Sequence, residues 1–145
     1  MGYTERRNLN RGFMKLEVWN DAIALFKLVY DIITRIDVID FKLRSQILDA
    51  AQSISSNIAE GYCRRSVNEY LQFLNIALGS SGELFTRILG LKEIFKIKDA
   101  DFENFDKLHY KTENRLLSLV KALQSKRKEG SWNQEIRDTT GKYVT

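Results

Sequence analysis

The chain has 145 residues, a formal net charge of +4, one Cys, one His and no Pro. A lone cysteine excludes an internal disulfide, and one Cys with one His excludes a Cys/His-rich zinc module. No apolar run approaches the roughly 18 residues of a membrane span, and the polar opening Met1 to Arg11 has no apolar signal-peptide core, so the expected location is the cytoplasm, with no membrane partner.

Hydrophobic periodicity predicts four helices. The first runs from Leu16 to Ile36, with Trp19, Ala22, Ile23, Phe26, Val29, Ile33 and Ile36 at steps of three and four, and Val18, Leu25, Leu28 and Ile32 in a row beside them. This apolar arc is wider than one surface helix needs. Asp40 is a suitable N-cap for a second helix from Phe41 to Glu60, whose row reads Leu43, Ile47, Ala50 or Ala51, Ile54 and Ile58. Gly61 is expected to stop that helix.

Ser66 and Glu69 have the spacing of a capping box. They open a third helix from Val67 to Phe95, carrying Tyr70, Phe73 or Leu74, Ala77, Ser81, Leu84, Ile88, Leu91 and Phe95 on one side. The apolar period runs in phase through Gly79 and Gly82, so a continuous helix is expected, with glycines that permit a close backbone approach. Asp99 or Asp101 is expected to cap a fourth helix from Asp101 to Arg127, with the row Phe102, Phe105, His109, Thr112, Leu116, Leu119 or Val120, and Leu123. The expected organisation is a basic arm (1–13), a helical domain (14–128) and a polar tail (129–145). Four helices with short links predict an all-α, antiparallel up-down four-helix bundle.

Little catalytic chemistry is visible. Asp106 and His109 have the spacing of a di-iron ligand pair, but such a site needs two acid–His pairs and the chain has one His. Cys63 beside Arg64 and Arg65 lacks an accompanying base, and no Gly-rich phosphate loop occurs. No enzyme, metal or cofactor is expected. The basic residues form three groups: Arg6, Arg7 and Arg11; Arg64 and Arg65; and Lys121, Lys126, Arg127 and Lys128. In an up-down order the ends of the second and fourth helices share a pole, so the last two groups are candidate nucleic-acid contacts. The competing reading is a pair of solvated ends that complement helix dipoles. Asn57, Glu60 and Glu83 are polar among apolar neighbours, and a Glu–Arg pair there is expected to fix register or subunit orientation.

Ser56-Asn57-Ile58-Ala59-Glu60-Gly61-Tyr62, Arg64 and Ser66, then Ala77, Gly79, Ser80, Glu83 and Leu84 form a pattern. Leu16 to Trp19, Gln46-Ile47 and Ala50-Ala51 extend it. It resembles the bacterial four-helix-bundle proteins encoded in intervening sequences of large-subunit ribosomal RNA genes. The resemblance covers Phe13 to Leu123 and implies a homo-oligomeric ring, commonly a pentamer, with no catalytic residues. It also implies kinship with the accessory variability determinant of diversity-generating retroelements, a basic pentameric bundle that binds nucleic acid. Asn57, Glu60, Gly61, Gly79, Ser80 and Glu83 then read as family-motif residues with structural or interface roles. Two departures stand out: the Asp37–Asp40 link has no proline, and Leu48-Asp49 stands where relatives often carry basic residues. The expected function is a non-enzymatic oligomer that binds RNA or a ribonucleoprotein partner through a basic surface. The alternative is a protein-interaction scaffold with no nucleic-acid role.

Overall fold

The computed structural model describes residues 2–130. These form a 3-10 helix, Leu9–Lys15, and four α-helices: α1 (Glu17–Thr34), α2 (Phe41–Cys63), α3 (Val67–Glu93) and α4 (Asp99–Glu129). The chain is all-α, with no strand among the described residues. The expected tail lies, beyond Gly130, outside them.

Local chemistry sets most of the helix ends. Asn8 caps the 3-10 helix through the Arg11 amide, Asp40 accepts the Leu43 amide, and Ser66 accepts the Glu69 amide. α4 departs from expectation. It begins at Asp99 behind Lys98 with no side-chain cap, because Ile97 is buried and anchors the link, while Asp101 is drawn 3.0 Å from Arg35. Asp99 and Asp101 remain in the first turn, where their charge complements the helix dipole. Gly130, at φ 69°, closes the far end in the left-handed conformation.

α1 packs on α2 and α4, and α3 packs on the same two helices. Paired contacts set the directions. Asp21 near the start of α1 meets Arg115 at the middle of α4, and Arg35 just past α1 meets Asp101 near the start of α4. Ser53 of α2 meets Ser80 of α3, and Gln46 meets Arg87. Ser81 of α3 meets His109 of α4, and Asn68 meets Arg127. Each of these pairs runs antiparallel. The core is built from Val18, Leu25, Val29 and Ile33 of α1, Ile47, Ile54 and Ile58 of α2, Leu74, Leu84 and Ile88 of α3, and Phe105 and Leu116 of α4.

Several predicted features need correction. In α1 the row nearest the core is Val18, Ala22, Leu25, Val29 and Ile32, whereas Trp19 and Phe26 are half-buried and Ile23 is exposed; α2 and α4 flank one part of a wide arc and leave its edge outside. Gly61 does not stop α2, which continues to Cys63 with Gly61 buried. A Cβ there would lie 2.8 Å from the Phe73 Cβ and 3.0 Å from Tyr70 Cδ1, so α2 and α3 approach closely at this glycine. Conversely, Gly79 and Gly82 lie in a continuous helix as expected, yet an added Cβ at either meets nothing within 4 Å. They point away from the buried Ala77–Ser81–Leu84 row, so the predicted close approach is absent among the described residues. Phe95 leaves its predicted apolar row entirely and is 93% exposed, because α3 ends at Glu93.

Candidate nucleic-acid interface

The antiparallel order brings the end of α2, the start of α3 and the end of α4 to one pole. Arg127 Nη1 donates to Asn68 Oδ1 at 3.2 Å, which holds the end of α4 beside the segment that follows Arg64 and Arg65. Lys126, Arg127 and Lys128 are exposed in the last turn of α4, with Lys121 exposed further back. The two predicted groups of cations therefore share a surface.

They are not equivalent in that setting. Arg64 lies 3.3 Å from Glu60 and 3.9 Å from Glu69, and its guanidinium sits 5.0 Å from the Phe73 ring centroid. Arg64 thus joins the end of α2 to the start of α3, and its charge is shared with two carboxylates. Arg65 is exposed beside it. Lys121, Lys126 and Lys128 project from α4 with the long stems that suit phosphate contact.

The structure adds cations that the sequence reading did not assign to this pole. The 3-10 helix packs on the end of α2: Phe13 lies 5.2 Å from Trp19 and 6.2 Å from Tyr62, and Cys63 Sγ donates to the Asn10 carbonyl at 3.1 Å. Tyr62 in turn meets Tyr70 edge-on at 6.0 Å. This aromatic anchor brings the arm that carries Arg6, Arg7 and Arg11 to the end of α2. The signal was present in the helix order, because the start of α1 must return to the pole where α2 ends.

The family-motif residues lie elsewhere, mostly along the α2–α3 seam. Asn57 Nδ2 donates to the Ser53 carbonyl at 2.7 Å and to Ser53 Oγ at 2.9 Å, and Ser53 Oγ lies 2.7 Å from Ser80 Oγ. Glu83 accepts from Arg87 Nε at 3.1 Å, and Arg87 Nη1 donates to Gln46 at 3.0 Å. Asn57, Ser80 and Glu83 thereby belong to bonds that fix α2 against α3, Glu60 takes Arg64, and Gly61 supplies the close approach. Gly79 makes no such contact.

His109, 3% exposed, lies with its Nε2 2.8 Å from the Ser81 carbonyl and 3.0 Å from Ser81 Oγ. Since a carbonyl only accepts, Nε2 carries the proton. Phe85 and Phe105 flank the ring at 5.3 and 5.4 Å. This geometry gives His109 a packing and bonding role within the core. Among the described residues, no group of three or more His, Cys, Asp or Glu side chains is arranged to hold a metal ion, and no helix is long and apolar enough to cross a membrane.

Fold and pole together define an all-helical protein that gathers cations from separate segments at one end. The chain belongs to the 23S rRNA-intervening sequence protein family, whose profile matches residues 14–118. No curated protein matches it. The family match includes α1, α2, α3 and much of α4, but it excludes Arg6, Arg7 and Arg11 and stops before Lys121.

Proposed function

We propose that this protein is a non-enzymatic, cytoplasmic homo-oligomer that binds RNA or a ribonucleoprotein partner through its basic pole. Each subunit is read as an up-down four-helix bundle, assembled as a ring, with five copies the number that the family resemblance implies. The observation that carries the RNA reading is the gathering of Arg65, Lys126, Arg127 and Lys128 at one end from segments far apart in sequence. Clustered cations bind a polyanion by releasing its counterions, and that affinity falls steeply with salt. Self-assembly is supported by α1, where Ile23 and Tyr30 are 43% and 46% exposed beside half-buried Trp19 and Phe26.

The test is a fluorescence-anisotropy titration of a structured RNA at low and physiological salt, paired with sedimentation to establish the number of copies. Binding with a steep salt slope that flattens in a Lys126→Gln, Arg127→Gln, Lys128→Gln variant is the expected result. An intact oligomer with no affinity at either salt would favour the protein-interaction scaffold.

A further inference from the structure

We propose that the N-terminal arm builds a phosphate-binding pocket from Arg6, Arg7 and Arg11 that receives a phosphate of the bound RNA; this inference rests on the RNA reading above. A shallow, open cavity of about 420 Å³ is lined by these arginines with Glu5 and Asn8, all five exposed to solvent.

The arginines are partly fixed before any ligand arrives. Arg7 Nε donates to the Thr4 carbonyl at 2.8 Å, and Arg11 Nη1 donates to the Arg6 carbonyl at 3.3 Å. Each guanidinium spends one donor on the backbone and keeps the others. Neither Arg7 nor Arg11 forms an ion pair with an acid among the described residues. Among the described residues, Glu5 is the one carboxylate lining the cavity, and its Oε2 accepts from the Gly2 nitrogen at 2.9 Å. Planar guanidinium groups match the oxygens of a phosphate in paired bonds.

The position also fits. Asn10 and Phe13 fasten the arm to Cys63 and Tyr62 at the end of α2, so a nucleic acid lying on the basic pole passes the cavity. A single surface cation contributes to affinity mainly through charge, whereas guanidinium groups held side by side add a defined contact.

The experiment uses the full chain, with Arg7→Gln plus Arg11→Gln as the pocket variant and Lys126→Gln, Arg127→Gln, Lys128→Gln as the pole variant. Three probes are compared: a structured RNA hairpin, inorganic phosphate and adenosine monophosphate. RNA binding is read by anisotropy across a salt series, and the arginine Nε–H resonances are followed by NMR. The pocket variant is expected to lose tenfold or more in RNA affinity at physiological salt. Its salt slope should fall by about 1.5, at roughly 0.7–0.9 per lost phosphate contact. Inorganic phosphate should shift the Arg7 and Arg11 resonances saturably and compete with the RNA. An inert pocket variant beside a crippled pole variant would overturn the pocket and leave the RNA reading standing. Saturable phosphate or nucleotide shifts in a protein that binds no RNA would overturn the assignment to RNA, in favour of free phosphate compounds. No response to any probe would overturn both.

Discussion

Phe95 has φ 60°, the left-handed region, with its side chain 93% exposed. Two bonds hold it there: its amide donates to the Lys92 carbonyl at 3.0 Å, and the Lys96 amide donates to the Leu91 carbonyl at 2.9 Å. This is the helix-end arrangement that ordinarily takes glycine, because a Cβ crowds the backbone by roughly 1–2 kcal/mol. Phe95→Gly is therefore expected to raise stability by about 1 kcal/mol, after glycine's extra unfolded-state freedom is set against the relieved strain. Thermal melting checks it, and a fall in Tm would show that the aromatic ring contributes a contact of its own. Gly61 and Gly79 make an opposed pair. Gly61→Ala forces a Cβ into contact with Phe73 and Tyr70 and is expected to destabilise by about 1–3 kcal/mol. Gly79→Ala meets open space and is expected to stabilise by up to about 1 kcal/mol through helix propensity. Urea midpoints of the two variants should move in opposite directions.

Between elements, polar contacts fix the register that apolar packing leaves loose. Asp21 is 8% exposed yet charged; it accepts from Arg115 Nη1 at 2.7 Å and has Lys111 Nζ at 3.5 Å. Arg115 also reaches Glu17 at 3.4 Å. The cluster ties the start of α1 to the middle of α4 and opposes a slip by one turn. Asp21→Ala would leave Arg115 and Lys111 facing each other without their shared acid, and a loss of about 1–3 kcal/mol is expected. A double-mutant cycle with Arg115→Ala measures the coupling; additive losses would show that the contact contributes little. On the other side, the Asn57–Ser53–Ser80 chain does the same for α2 and α3.

Across the whole molecule, a basic pole and a partly exposed apolar edge of α1 stand out. The basic pole collects the arm, the end of α2 and the end of α4, while Ile23 and Tyr30 mark the outer edge of α1. Two half-exposed apolar side chains one helical repeat apart are a modest patch alone, but with Trp19 and Phe26 they form a continuous strip suited to a helix of a second copy. If the proposed self-assembly runs through this strip, Ile23→Glu with Tyr30→Glu is expected to yield monomers while the helical circular dichroism stays unchanged. Analytical ultracentrifugation checks this, and an intact oligomer would move the interface off α1.

Residue patterns already carried the all-α class, the four helices, the caps at Asp40 and Ser66, the buried rows of α2 and α4, and the candidate cations. Each depends on neighbours within a turn or two, where spacing and side-chain chemistry act directly. The fate of Gly61 against Gly79 did not have that property. Both are glycines with helical neighbours, and what separates them is whether another helix stands within reach of the missing Cβ. The same holds for the α1 arc: its width was legible, but which edge faces water depends on where α2 and α4 lie. The arm arginines joined the pole for a related reason. Their charge was plain in the chain, whereas their place follows from Phe13 meeting Tyr62 across distant sequence, a contact that exists only once the helices have packed.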